Sequence, residues 1–196
     1  MSDDLRAMII EVTNQVSSEK PGLSPGAGLS PVIAGWIGLV ASERGLRMLT
    51  LPAHSRGAAL RAVRRDYPEA TLIAADPFLQ EVARQVRAYL AGELREFSVE
   101  LDLRGRTSFE LAVWAAARRI PWGQTRTYAW IAGQVGGGSG AAQAVGAVLG
   151  ANPVPLIVPC HRVIGSDGAL HGFAGGLELK TRLLALESGQ GALILE

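Results

Sequence analysis

The chain has 196 residues, of which 48% are hydrophobic and 19% are charged, and its formal net charge is +1. This balance is typical of one large or two small globular domains, and the small net charge excludes a general attraction to nucleic acid, so any DNA binding must be local. An acidic N-terminus and the lack of roughly 18 continuous apolar residues argue against a signal peptide and a membrane span.

The first half of the chain is predicted to mix helices with strands. Apolar residues at helical spacing predict a helix over residues 3–18, and a Gly/Pro/Ser-rich loop follows at 21–28. Two apolar runs joined by a short turn then predict a hairpin. The elements predicted after the loop are strands at 32–41 and 46–51, a helix at 56–65, a strand at 71–75, a helix at 77–91 and a strand at 97–101.

The second half is predicted to be mainly helical. Thr107 and Glu110 have the spacing of a capping box, in which each side chain binds a free backbone amide of the other residue. Helices are expected at 111–120, 128–135, 141–150 and 177–187, and the middle two have the layout of a helix-turn-helix. We therefore expect an α+β fold, with a small mixed α/β N-terminal domain at 1–104 and a mainly helical C-terminal domain at 105–196.

The single cysteine, Cys160, is the first candidate for chemistry. One cysteine excludes an internal disulfide and any zinc site built on paired thiolates, so it is either a buried filler or a reactive thiol. A reactive cysteine needs a nearby proton acceptor, and His161 is adjacent. The carboxylates available to orient that imidazole are Asp167, Glu178 and Glu187, of which Glu187 ends an apolar-faced helix. On the reactive interpretation, we expect an exposed sulfur kept ionised by His161.

The sequence around Cys160 resembles the active-site signature of the O6-alkylguanine-DNA alkyltransferases, also called methylated-DNA–protein-cysteine methyltransferases. The resemblance is specific over most of residues 107–188 and coarse in the first half. The segments that carry it are the run from Asn152 to Val163, then Gly168, Gly172 to Gly176, Lys180, Leu183-Leu184 and Glu187, and, further upstream, Phe109, Val113-Trp114, Ile120-Pro121, Gly123 and Thr127-Tyr128.

The resemblance implies a direct transfer in which the Cys160 thiolate takes an alkyl group from guanine in DNA and keeps it, so that each molecule acts once. By the same resemblance, His161 is the base acting through a water and Glu187 orients His161. Asn152 supports the turn beside the cysteine, and Tyr128 offers its hydroxyl to the departing base.

Further roles carried over from the family concern substrate and DNA. The pocket for a flipped base is expected to be lined by Val163, Phe173, Ala174 and Gly175. DNA contacts are expected from the second helix of the helix-turn-helix and from arginines that flank it, and the predicted residues are Gln143, Ala142, Gly146, Arg126 and Arg162.

The sequence departs from the family pattern at the DNA-contacting helix. Gln143 occupies the position where these proteins normally carry an arginine that fills the gap left by the extruded nucleotide. No Asp, Glu, Lys or Arg occurs from Thr127 through His161. Because cations supply most of the affinity for DNA, this departure predicts weaker binding, although small residues let a helix lie close to a narrow groove. Phe173 also replaces the more usual tyrosine.

Two functions from different classes follow. The first is repair of O6-alkylguanine, and of O4-alkylthymine as a further substrate, in double-stranded DNA. The second is a paralogue of the same fold with weakened base flipping, which takes alkyl groups from a small molecule or acts as a binding module. The non-enzymatic lesion-binding relatives are disfavoured because they lack the cysteine. We expect a cytoplasmic monomer with no metal, no cofactor, no membrane association and no obligate protein partner.

Overall fold

The computed structural model describes residues 4–13, 33–138 and 140–189. The predicted loop at 21–28 lies outside this part of the chain. The strands are β1 (Arg6–Thr13), β2 (Ala34–Ser42), β3 (Gly45–Leu49), β4 (Thr71–Leu72), β5 (Arg126–Thr127) and β6 (Val163–Ile164). The helices are α1 (Arg56–Asp66), α2 (Pro77–Leu90), α3 (Ser108–Arg118), α4 (Tyr128–Gln134), α5 (Ala141–Gly150), α6 (Gly176–Ser188) and a single 3-10 turn at Cys160–Arg162.

The first half forms a sheet in the order β3-β2-β1-β4, in which β2 pairs antiparallel with both neighbours and β4 pairs parallel with β1. Alternate residues of β2 enter different apolar clusters. Val40 packs with Val63 of α1, whereas Ile37 and Leu39 pack with α2 residues such as Val86. Since successive side chains in a strand point to opposite faces, α1 and α2 cover opposite faces of the sheet.

The helix predicted over residues 3–18 is wrong, because residues 6–13 form β1. The spacing of Leu5, Met8, Ile9 and Val12 fits a helix, but Met8, Ile10 and Val12 also fit the alternation of a strand, and all three are buried. β1 pairs with β2 over its whole length. The long antiparallel pairing therefore overrides the helical pattern.

The strand predicted at 97–101 is also absent from the described structure. The backbone of Ser98 is bound by a side chain instead: its amide donates to Oε1 of Gln85 at 2.9 Å, and its carbonyl accepts from Nε2 of Gln85 at 3.1 Å. Only Leu101 makes a bridge to the sheet, with Leu46. The strand predicted at 71–75 is shortened to 71–72, whereas the hairpin and the helices around 56–65 and 77–91 are confirmed.

The second half begins with the predicted capping box, which is confirmed at the start of α3. α4 follows a cap by Thr127, whose hydroxyl accepts from the amide of Trp130. The indole of Trp114 on α3 donates to the carbonyl of Val148 at 3.1 Å, which fixes α5 against α3. The pairing of β5 with β6 then places the residues after Cys160 beside the start of α4. Within the described ranges, no helix is long and apolar enough to cross a membrane.

Candidate functional site

Cys160 is positioned by a tight reversal of the chain after α5. Leu156 adopts a φ of 73°, a left-handed backbone conformation that residues other than glycine rarely adopt. Asn152 holds this turn from inside: its Nδ2 donates to the carbonyl of Val158 at 2.8 Å, and its Oδ1 accepts from the amide of Val154 at 3.0 Å. A locally strained turn, stabilised by one side-chain amide, therefore presents the cysteine.

The sulfur of Cys160 is buried at the edge of the hydrophobic core. The residue is 8% exposed, and Nδ2 of Asn152 lies 3.3 Å from Sγ. Burial raises the pKa of the thiol, while the Asn152 hydrogen bond and the charge of Lys180 act in the opposite direction. The expectation of an exposed sulfur kept ionised by His161 is thus wrong for the resting protein, which holds a neutral thiol because the site is desolvated.

One ring nitrogen of His161 is hydrogen-bonded, and the other has no hydrogen-bond partner among the described residues. The residue is fully buried, and Nε2 lies 2.8 Å from Oε1 of Glu187. Because a carboxylate only accepts, the proton sits on Nε2, which leaves Nδ1 as the basic nitrogen. Nδ1 is buried and has no hydrogen-bond partner in the described part of the chain. Burial lowers the pKa of His161, so the ring is a neutral base.

Glu187 receives hydrogen bonds from four residues that lie on three segments of the chain. Nε2 of His161, the guanidinium of Arg162, the hydroxyl of Tyr89 and the amide of Gly123 all bind its two oxygens. Burial alone would raise the pKa of this carboxyl, but the hydrogen bonds from His161 and Arg162, together with the charge of Arg162, lower it to about 2. The carboxylate is therefore ionised and fixed at neutral pH.

The structure contradicts the prediction that Arg162 contacts DNA. Its side chain is 7% exposed, and Nε lies 2.8 Å from Oε2 of Glu187. Nη1 donates to the carbonyl of Ile120 at 2.6 Å. A guanidinium that neutralises a buried carboxylate cannot reach a phosphate, so Arg162 belongs to the support of the site.

Two further buried groups have roles that sequence reasoning did not assign. The hydroxyl of Tyr89 on α2 reaches both Glu187 and His161. Lys180 is fully buried, and its Nζ donates to the carbonyl of Val163 at 2.7 Å and to that of His171 at 3.1 Å. Lys180 lies seven residues before Glu187 on α6 and therefore on the same face of the helix, so the sequence spacing could have indicated that Lys180 is near the site. Tyr89 is remote in sequence and gave none.

Tyr128, at the start of α4, lies between the site and α5. Nζ of Lys180 is 6.0 Å from the centre of its ring, and an added Cβ at Gly146 of α5 would lie 3.7 Å from its Cε1 atom. Burial raises the pKa of Tyr128. The hydroxyl therefore keeps its proton and can donate it.

The residues predicted to line a base pocket are only partly brought together. Val163 is fully buried, and its carbonyl accepts a hydrogen bond from Nζ of Lys180. Phe173 is half-buried against the core, while Ala174 and Gly175 are exposed. Ala174 and Asn152 line one groove of about 510 Å³. No group of residues suited to hold a metal occurs among the residues described.

The helix predicted to contact DNA, α5, is formed and carries no charged side chain. Gln143 is exposed, with Ala142 and Gly146 half-buried beside it. Arg126 is half-buried: Nη1 donates to the carbonyl of Thr125 at 2.8 Å, and its guanidinium lies 5.7 Å from the ring centre of Trp130. Of the two flanking arginines that were predicted, Arg126 is thus the one with an accessible position.

Comparison with known proteins shows the family from matches in both halves of the chain. Residues 29–103 match the ribonuclease-like domain of 6-O-methylguanine DNA methyltransferase, and residues 108–189 match its DNA binding domain. A methylated-DNA–protein-cysteine methyltransferase of Methanosarcina barkeri is 42% identical over 158 residues, which cover 81% of this chain and 92% of that protein. The chain belongs to this methyltransferase family.

Mycobacterial relatives extend the comparison to solved structures. The Mycobacterium tuberculosis protein of the same name is 56% identical over 106 residues, or 54% of this chain, and the match spans 63% of its own length. A crystal structure of Mycobacterium tuberculosis O6-methylguanine methyltransferase superposes with a TM-score of 0.70 at 37% identity over 97% of both chains. A further structure of the mycobacterial protein, in complex with DNA, gives a TM-score of 0.68 at 36% identity over 95% of this chain and 96% of that chain. The expected α+β fold is confirmed.

Proposed function

We propose that this protein repairs double-stranded DNA by transferring the alkyl group of O6-alkylguanine to Cys160, once per molecule. The observation that carries the proposal is the arrangement of His161, whose Nε2 is bound to an ionised Glu187 while Nδ1 is buried, basic and open. A buried nitrogen without a partner is costly unless a water or a reacting proton uses it. That nitrogen belongs to the residue next to the only cysteine in the chain.

The transfer needs a thiolate only while the bond forms. Nδ1 of His161 removes the thiol proton through one bridging water, and Sγ attacks the alkyl carbon in line. The new S–C bond replaces the bond between that carbon and O6 of guanine, whose electrons remain with the base. The imidazolium is stabilised by Glu187, and the hydrogen bond from Asn152 stabilises the sulfur as charge develops. A thioether is a poor leaving group, so the protein is not regenerated.

Tyr128 assists the departing guanine. Its hydroxyl keeps its proton, as the raised pKa requires, and donates a hydrogen bond or the proton to a ring nitrogen as negative charge grows there. Overall, the thiol loses one proton and the base gains one. Phe173, Ala174 and Gly175 offer backbone and apolar contacts to the flipped base, and Val163 supports the pocket through its carbonyl.

DNA is engaged by the helical half at 105–196, with α5 placed against the duplex and Gln143 filling the gap left by the flipped nucleotide. Ala142 and Gly146 keep this face narrow enough to enter a groove, and Arg126 contacts a phosphate. A relative of known structure has been solved in complex with DNA. Repair by this route needs no cofactor and no second protein, and we propose the same chemistry for O4-alkylthymine.

The test uses intact-protein mass after incubation with a duplex that carries one O6-methylguanine. We expect a mass gain of one methylene unit on Cys160, dependent on the duplex and complete at one equivalent. An unmodified duplex of the same sequence is the control for DNA, and the Cys160→Ser variant is the control for the acceptor. No mass gain under conditions where the protein binds the duplex would overturn the proposal.

The uncharged α5 favours one alternative, a paralogue that accepts alkyl groups from a small molecule or acts as a binding module. Duplex affinity depends strongly on cations, and α5 has none. Modification of Cys160 by free O6-alkylguanine but not by the duplex would support this alternative. Binding without modification by either donor would support the binding module.

A further inference from the structure

The hydroxyl of Tyr89 joins the first half of the chain to the site formed by the second half. Tyr89 lies on α2 and is fully buried. Its hydroxyl donates to Oε1 of Glu187 and lies 3.2 Å from Nε2 of His161. Two aromatic rings pack against the tyrosine ring: Phe97, with ring centres 5.1 Å apart, and Trp122, at 5.0 Å in an edge-on geometry.

The hydrogen bond between Tyr89 and Glu187 can form in only one direction. A phenol has one proton, and Glu187 can only accept, so Tyr89 gives its proton to the carboxylate. The tyrosine oxygen is then an acceptor, and the adjacent Nε2–H of His161 is the donor that faces it. Both bonds favour the tautomer with the proton on Nε2. That tautomer leaves Nδ1 as the base.

We propose that Tyr89 is a positioning residue for alkyl transfer, which fixes the Glu187 carboxylate and the His161 tautomer so that Nδ1 can take the thiol proton. The proposal rests on the function proposed above. It gives the first half of the chain a part in the chemistry, because α2 lies in that half and the nucleophile does not. Tyr89 makes no hydrogen bond to the sulfur of Cys160 and is not placed against the guanine, so it acts only through Glu187 and His161.

The first test is the rate constant of alkyl transfer in Tyr89→Phe, which removes one oxygen and keeps the ring. We expect about a tenfold lower rate, the effect of losing one hydrogen bond that orients a catalytic base. Duplex affinity, measured in the Cys160→Ser background, should not change. The matched control is Phe97→Leu, which disturbs the packing of the same ring but leaves the hydroxyl, and it should keep the rate within about twofold.

The second test is the pH dependence of the rate, because a purely structural role would not move it. The titratable and charged groups around His161 are Glu187, Arg162, Lys180 and Tyr89. Without the tyrosine proton, the charge of Glu187 acts more strongly on the imidazole and favours its protonated form. The acid limb of the profile should therefore move to higher pH in Tyr89→Phe and stay in place in Phe97→Leu.

The third test does not depend on activity. Nitrogen NMR of the imidazole rings separates the two tautomers, and the chain has only 3 histidines to assign. In Tyr89→Phe, the shifts of Nδ1 and Nε2 of His161 should begin to move towards each other at a higher pH than in the wild type, because the protonated ring is favoured. If the wild-type protein transfers no alkyl group, the proposed function fails while this spectrum still decides the role of Tyr89. Unchanged nitrogen shifts, rate and pH profile would overturn the inference.

Discussion

The side-chain amide of Asn152 binds both the sulfur of Cys160 and the backbone of the turn that carries it. Nδ2 lies 3.3 Å from Sγ and donates to the carbonyl of Val158 at 2.8 Å. One residue therefore holds the turn that carries Cys160 and also donates a hydrogen bond to its sulfur. The dual contact makes Asn152 a sensitive point in the site.

Replacing Asn152 with alanine should slow the reaction of Cys160. The amide hydrogen bond is the largest effect that opposes burial in setting the thiol pKa, so its loss raises that pKa and lowers the thiolate fraction at a given pH. We expect about a tenfold slower reaction with a small electrophile at neutral pH and a rate profile moved to higher pH. Labelling of Cys160→Ser gives the background. An unchanged profile would mean that the amide does not act on the sulfur.

Gln143→Arg should strengthen binding to a duplex if α5 enters DNA. The added cation releases about one further counterion, so the plot of log affinity against log salt should become steeper by about 1. Titration of the duplex at several salt concentrations measures this slope. Gln80→Arg on α2 adds the same charge to an exposed position of the first half and controls for net charge alone. Equal slopes in both variants would count against docking through α5.

Acid should destabilise the protein through the buried pair of His161 and Glu187. Burial lowers the pKa of His161, so the unfolded chain alone gains a proton as pH falls through about 6.5, and stability declines. The pKa of Glu187 is about 2 in the folded protein and about 4.5 in an unfolded chain. Its contribution to the free energy of unfolding is therefore complete above about pH 4.5 and is lost as the pH falls towards about 2. This pKa difference corresponds to a loss of about 3 kcal/mol of stability.

Urea unfolding at a series of pH values measures this loss. Glu81 is a useful comparison, because its pKa is also lowered to about 2 by Arg84 and Gln85, yet this carboxylate is exposed. Its contribution should disappear in Glu81→Gln without changing the overall acid profile, and it should be screened by salt. A free energy of unfolding that stays level between pH 6.5 and about 2 would contradict the buried-pair explanation.

Gly123→Ala should weaken both folding and transfer. Gly123 has φ of 74°, and an added Cβ would lie 3.0 Å from the backbone oxygen of Glu187. The left-handed conformation alone costs an alanine about 1–2 kcal/mol, and the close contact with Glu187 adds to it. Gly105→Ala is the matched control, since φ is 83° and nothing lies within 4 Å of its added Cβ. Equal thermal shifts, with normal transfer in both variants, would mean that the Glu187 contact is unimportant.

The sequence was most informative where local rules and the family signature agreed. The capping box at Thr107 and the helices of the second half follow from short-range hydrogen bonding and apolar spacing, and they were predicted. β1 was not, because its identity depends on pairing with β2 and the spacing of its apolar residues fits both states. The same holds at Ser98, where the Gln85 side chain takes the backbone groups that a strand would use.

The candidate site shows the same division. Cys160, His161 and Glu187 were recognised from the signature, and the structure brings them together. Arg162 was assigned to DNA because an arginine beside a binding element is usually exposed, and only the three-dimensional position of Glu187 reveals its ion pair. Tyr89 is 72 residues from His161 in sequence, and no local sequence pattern predicts that the two side chains meet in the folded protein.

The carboxylate of Glu187 collects its partners from segments made at very different times during translation. Tyr89 precedes it by 98 residues, whereas His161 and Arg162 precede it by 26 and 25. A chain that ends before α6 has Cys160 and His161 but lacks the carboxylate that holds the imidazole. The hydrogen bonds around His161 are therefore complete only once this late helix packs against the rest of the protein.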